Sequence, residues 1–276
     1  MRYDKVVLVL LDGLRPDAIR PDVMPSLHAL AARYWQAAHA VTISPSVTVA
    51  ALTSLATGVS PARHRFTTPS IGALPGLRDL TSLPHQLRQH GRQFTIVTSD
   101  LAPTQQMLAT TLLGLSGIGT LVTGGNTPTL VADRAVREVT RRGEGMTFVY
   151  LNDCDRIGHA HGWMSTPYLE AAGALDRAVA RLSGLIGLGD TLLLFAADHG
   201  GGGIVPDDHD GDHPLNLRIP LILAGRRLRD RTLSQRPAHL LDIPTTVLAA
   251  LGVPVPASYE GRVLSEAFVT EEKAVA

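Results

Sequence analysis

An α/β fold with a mostly parallel central sheet and helices on both faces is what this 276-residue chain predicts. Three observations carry that expectation. Apolar runs of strand length alternate with segments of helical spacing along the whole chain. The runs are apolar at nearly every position rather than at every second one, as in strands covered on both sides. Glycine and proline stand at most of the joins. With 45% hydrophobic residues the chain can bury a large core. It shows no repeat, low-complexity tract or linker, so residues 1–276 are expected to form one domain.

Taken in order, the expected strands are Val6–Leu11, Phe94–Val97, Gly119–Val122, Thr147–Leu151, Thr191–Ala196 and Pro220–Ala224. The expected helices are Met24–Tyr34, Val49–Ala56, Leu83–Gln89, Leu130–Arg142, Pro167–Ile186 and Leu240–Leu251. Two irregular stretches, Val59–Gly76 and Gly200–Arg218, follow directly on polar clusters and read as site loops. Basic and acidic residues balance at 25 each without a block of one sign, which argues against a nucleic-acid partner. The opening run Val6–Leu11 is far too short to cross a bilayer and has no cleavage site. A soluble, cytoplasmic protein with no membrane partner is expected, and the single Cys154 fits a reducing compartment.

Chemistry-bearing residues cluster after the apolar runs. Asp198-His199 follows the fully apolar LLLFAA, and a buried unpaired aspartate costs several kcal/mol, roughly, unless it finds a partner, a metal or water. Asp155 and His159 stand four residues apart around Gly158, a spacing that brings both to one ion on a helix or on a loop. Asp153 and His161 crowd the same stretch and read as solvated bystanders. Asp12, at the end of the first run, reads alone as an Asx turn. Thr48 falls at or near the N-terminus of the Val49–Ala56 helix, where amide dipoles favour an alkoxide or a phosphate. By spacing alone Ser44, Ser46 and Thr53 are equal candidates. The cluster Asp207, Asp208, His209, Asp210, Asp212 and His213 reads as a ligand loop or as a plain acidic surface.

In the order Asp, Thr, Asp-x3-His, Asp-His, His, these elements resemble the alkaline phosphatase superfamily, specifically its nucleotide pyrophosphatase/phosphodiesterase-like branch. VLVLLDGLRPD resembles the opening strand with its metal-binding Asp12. TVAALTSLATG resembles the nucleophile helix, which puts the nucleophile on Thr48. DRIGHAHG, AADHGGGG and HDGDHPLNLRIPLILAG resemble the three later ligand elements. The resemblance implies an alkaline phosphatase-like fold and two divalent metal ions, zinc by ligand type. One ion would be held by Asp155, His159 and His209, the other by Asp12, Asp198, His199 and Thr48, with His213 the fallback for His209. It further implies a hydrolase of small phosphoric esters, phosphodiesterase-like, that works through a phospho-threonine. Phosphonate hydrolysis, phosphomonoesterase or phosphomutase-like chemistry, or metal binding without catalysis, are the alternatives. Two departures bear on substrate. The register Thr48-Val49-Ala50-Ala51 lacks the Cys/Ser-x-Pro-Ser-Arg of sulfatases. The stretch FTTPSIG lacks the asparagine of nucleotide-cleaving relatives, for which Thr67, Thr68, Arg63 or His64 would have to substitute.

Overall fold

The computed structural model describes residues 2–68, 80–101 and 119–269. An eight-stranded sheet lies at its centre in the order β5-β4-β6-β1-β7-β8-β2-β9. Strand β1 (Lys5–Leu11) pairs in parallel with β6 (Gly145–Leu151) on one side and β7 (Thr191–Ala196) on the other. Parallel strands β4 (Gln93–Thr98) and β5 (Thr120–Thr123) extend the sheet past β6. Past β7 the direction changes: β8 (Leu221–Gly225) is antiparallel to β7, and β2 (Trp35–Ala37) is antiparallel to β8. β9 (Thr232–Ser234) closes that edge in parallel with β2. A separate small pair joins β3 (Ala40–Val41) to β10 (Ala238–His239).

Helices cover both faces. Helices α5 (Pro128–Arg141) and α7 (Thr166–Ser183) pack on each other, with α6 (Asp153–His161) and α1 (Pro25–Arg33) against α7. A second group joins α2 (Thr48–Thr57), α4 (Leu83–Gln89) and α9 (Asp242–Ala250). With helices on either side, β1 and β7 are buried along almost their whole length, which explains their unbroken apolar runs. Two short helices, α3 (Pro61–His64) and α8 (Pro214–Leu217), lie inside the stretches read as irregular loops.

Every expected strand and helix is present, with ends shifted by a few residues. Hydroxyl caps set several of those ends: Ser82 accepts from His85 N, Thr127 from Leu130 N and Ser165 from Tyr168 N. Gly58 ends α2 at φ +68, and a Cβ there would meet the Tyr259 ring at 2.3 Å. The strands not anticipated, β2, β3, β9 and β10, span three residues at most, too short to show a period. Residues 69–76 of the first expected loop lie outside the described residues. No described helix is long and apolar enough to cross a membrane.

Candidate metal centre

Three neighbouring parallel strands, β6, β1 and β7, end level with one another, Leu11 facing Leu151 and Leu10 facing Ala196. Their C-terminal edge is where open α/β sheets place ligands. Asp12 follows β1 directly, Asp198 and His199 follow β7, and Asp155 sits in the first turn of α6 just beyond β6. Gly13, at φ +69, lets the chain turn sharply beneath Asp155, whose Cα would lie 2.8 Å from a Cβ at that position. Asp155 N donates to Asp12 O at 3.0 Å, tying the two strand ends.

The carboxylates are held by one oxygen and left open at another. Asp198 Oδ1 accepts from Gly13 N at 3.3 Å and His199 N at 3.1 Å, while its Oδ2 has no hydrogen-bond partner. Asp12 Oδ2 accepts from the Tyr150 hydroxyl, and its Oδ1 has no partner. Asp155 Oδ1 is likewise unsatisfied. All three open oxygens face imidazole Nε2 atoms: Asp12 Oδ1 lies 3.2 Å, Asp198 Oδ2 3.6 Å and Asp155 Oδ1 3.8 Å from His199 Nε2. Asp155 Oδ1 is also 3.4 Å from His159 Nε2 and 3.6 Å from His209 Nε2.

Each of the three histidines turns its other nitrogen to a backbone carbonyl. His199 Nδ1 meets Gly200 O at 2.9 Å, His209 Nδ1 meets Ser46 O at 2.7 Å and His159 Nδ1 meets Asp207 O at 2.9 Å. That pattern fixes the ring and frees Nε2 as a ligand. Orphaned buried carboxylate oxygens beside free imidazole nitrogens are a donor set that suits divalent zinc, manganese or iron. The residues therefore fit the ions that the sequence implies.

Two sets of donor atoms lie within 4.8 Å of one another: Asp12 with Asp198 and His199, and Asp155 with His199 and His209. His199 Nε2 thus lies within reach of both groups, where the sequence reading gave it to one. His159 borders the second group and is the most exposed of the three histidines. His213, the fallback, caps α8 instead, its Nδ1 accepting from Leu215 N at 3.2 Å.

Electrostatics expose the need for a cation. Burial and the charge of Asp12 push the Asp198 carboxyl well above the usual aspartate range. Burial and Asp12 also push Asp155 up to about 6. Burial opposes ionisation of Asp12 too, but the hydrogen bond and charge of His199, with the Tyr150 hydroxyl, hold it below its ordinary value. Burial would keep His199 neutral, yet the Asp198 and Asp12 carboxylates raise it to about 10. Burial and the charge on His199 push His209 down to about 4. The crowded carboxylates thus favour positive charge at their centre, which a metal ion or a proton on His199 would supply.

Thr48 is the first helical residue of α2, and its Oγ1 lies 3.0 Å from His199 Nε2. The competing hydroxyls point elsewhere: Ser44 donates to Asp212, Ser46 to His209 O at 2.6 Å, and Thr53 to Val49 O at 2.7 Å. Ser46 and His209 form a two-way clamp that ties the segment leading into α2 to the loop that carries His209. Arg63 is tied to Ser258 O and Glu260, and buried His64 to Ser54, so both candidate substitutes are engaged by partners outside the donor groups. Asp153 pairs with Arg156 at 3.6 Å and remains a bystander. Two contributors escaped the sequence reading, Tyr150 and Trp163; the indole Nε1 of Trp163 donates to Gly13 O at 2.8 Å. Neither carries a motif, because their partners stand 138 and 150 residues away.

The family model for type I phosphodiesterase / nucleotide pyrophosphatase matches residues 6–70, and that for the metalloenzyme superfamily matches residues 104–255. The chain is 33% identical over 116 residues to the 2,3-bisphosphoglycerate-independent phosphoglycerate mutase of Saccharophagus degradans, 41% of this chain and 21% of that one. It is 30% identical over 100 residues to GPI ethanolamine phosphate transferase 1 of Candida glabrata, 35% of this chain and 11% of that one. It thus spans a small part of the length of these curated relatives. An alkaline phosphatase superfamily protein from Vibrio parahaemolyticus shares the fold at TM-score 0.70 and 15% identity, over 95% of this chain and 69% of the other. A phosphonate monoester hydrolase from Silicibacter pomeroyi does so at TM-score 0.67 and 14% identity, over 95% and 76%. With the second family model covering more than half its length, the chain belongs to the metalloenzyme superfamily, and it shares the fold of an alkaline phosphatase superfamily protein.

Proposed function

We propose that the protein is a two-metal-dependent hydrolase of phosphoric esters, phosphodiesterase or nucleotide pyrophosphatase-like, that works through a phospho-threonine on Thr48. The observation that carries this reading is the threonine hydroxyl at the N-terminus of α2, 3.0 Å from His199 Nε2, the nitrogen that the unsatisfied oxygens of Asp12 and Asp198 also face. Asp12, Asp198 and His199 with Thr48 would hold one ion, and Asp155, His159 and His209 the other. When bound, two divalent ions, most simply zinc, supply the positive charge that neutralises these carboxylates, lowers the pKa of a hydroxyl and stabilises phosphoryl oxygens.

Thr48 Oγ, having lost its proton, attacks phosphorus; the bond to the ester oxygen breaks and the alcohol departs with a proton. Water then attacks the phospho-threonine, and Thr48 Oγ leaves and regains a proton. The positive N-terminal end of α2, where Thr48 stands, would favour the negative charge of a phosphoryl group carried on that hydroxyl. His159, partly exposed, borders the solvent side of the site.

The test is a panel of chromogenic esters: a phosphate diester, a nucleotide ester, a phosphate monoester, a phosphonate and a sulfate ester. The diester or nucleotide ester is expected to turn over fastest. Thr48→Ala is expected to lose at least about three orders of magnitude in kcat, on the scale of nucleophile removal elsewhere, and to keep its metal. Undiminished Thr48→Ala activity would overturn the reading. The partial match to a phosphoglycerate mutase keeps one alternative in the panel, transfer of the phosphoryl group to a second hydroxyl.

A further inference from the structure

Trp163 is 7% exposed, and a buried tryptophan is ordinarily plain core. Its neighbours set this one apart. The indole ring meets His159 edge-on at 5.1 Å between centroids and His209 at 5.7 Å, two of the three histidines of the site. Its Nε1 donates to the carbonyl of Gly13, the residue after Asp12, at 2.8 Å, and its own backbone N donates to Pro206 O at 2.8 Å in the loop that carries His209. Three glycines clear space for it. A Cβ at Gly158 would lie 2.7 Å from the ring and at Gly201 2.1 Å, and one at Gly202 would lie 2.8 Å from the Trp163 Cβ. Those glycines belong to the segments that present Asp155 and His159, and Asp198 and His199.

One side chain therefore touches the β1 turn, α6, the glycine tract after β7 and the His209 loop, each of which supplies a ligand. We propose that Trp163 is a positioning residue that sets the spacing between the two ligand groups, an inference that rests on the two-metal reading above. Ligands drawn from four separate segments converge only if something fixes those segments mutually. The strands do this for Asp12, Asp155 and Asp198; for the imidazoles of His159 and His209, which leave the sheet, the indole is the shared wall. Loss of groups that orient ligands typically weakens metal binding about 10- to 100-fold.

The test uses zinc alone as the probe. Trp163→Phe keeps an aromatic ring and loses the N–H; Trp163→Leu loses both. Competition with a zinc chelator is expected to show Trp163→Leu binding about 10- to 100-fold more weakly, with Trp163→Phe between it and the native protein. Rate plotted against free zinc shifts to higher zinc by the same factor, with kcat largely restored at saturation. In a Trp35→Phe background, where Trp163 is the one remaining tryptophan, its emission is expected to change as zinc binds. Native affinity in both variants overturns the proposal, even if the melting temperature of the metal-free variants falls, because that fall alone is what a core residue would give. A native protein that takes up no zinc overturns the metal reading first; uptake with unchanged variants overturns the Trp163 role alone.

Discussion

Asp198 is fully buried with one oxygen unsatisfied, so the site is built against the stability of the metal-free chain. Asp198→Asn removes that charge at almost constant shape. The variant is expected to lose the rise in melting temperature that zinc gives the native protein, as thermal scans with and without zinc would show. A variant raised by zinc as much as the native protein would contradict this. The same charges set a pH dependence. His199 is raised from 6.5 to about 10, so the stability it contributes is fully present below 6.5 and is lost as pH rises through 10. Asp198, also raised, binds its proton more tightly when folded and acts in the same direction. Melting temperature of the metal-free protein is expected to fall between pH 6.5 and 10; a rise across that window would contradict the assignment. Tyr150→Phe frees Asp12 Oδ2 and is expected to weaken zinc binding about tenfold by chelator competition. The convergence of Asp12, Asp155, His159, Asp198 and His199 was legible because these candidate ligands follow closely on the strands that present them. Tyr150 was not, since it reads as one more aromatic in a strand until β6 is laid beside β1.

Helix α5 carries a buried carboxylate of another kind. Glu138 is 2% exposed and meets Arg134 at 3.2 Å, Arg141 at 3.0 Å and Arg142 at 2.8 Å. Burial alone would raise it, but the hydrogen bonds and charges of Arg141 and Arg142 hold it below the ordinary 4.5. Its contribution is present above 4.5 and is lost as pH falls through the lowered value. Glu138→Gln is expected to melt lower at pH 7 and to approach the native protein in acid; an equal gap at both pH values would show that the charge is not what matters. At this scale the long elements were readable. Helix α5 shows an apolar stripe against α7, and β1 and β7 are unbroken apolar runs. The antiparallel margin was not, because β2 and β9 hold three residues each and owe their existence to pairing with β8 and with one another.

Across the whole molecule, the order of the strands decides where chemistry sits. Because β6, β1 and β7 are adjacent and parallel, acids that are far apart in sequence end at one edge, and α2 brings Thr48 over them. That convergence followed from the motif order rather than from spacing, which left four hydroxyls open. Ions bound to the folded chain and not to the unfolded one raise its stability by mass action, so zinc is expected to raise the melting temperature in a concentration-dependent way. The central claim is that Asp12, Thr48, Asp155, His159, Asp198, His199 and His209 form one centre for two ions. Its most direct measurement is the zinc content of the folded native chain by native mass spectrometry. Two ions per chain are expected, with Asp198→Asn retaining fewer; a native protein saturated at no ion or at one would contradict the account.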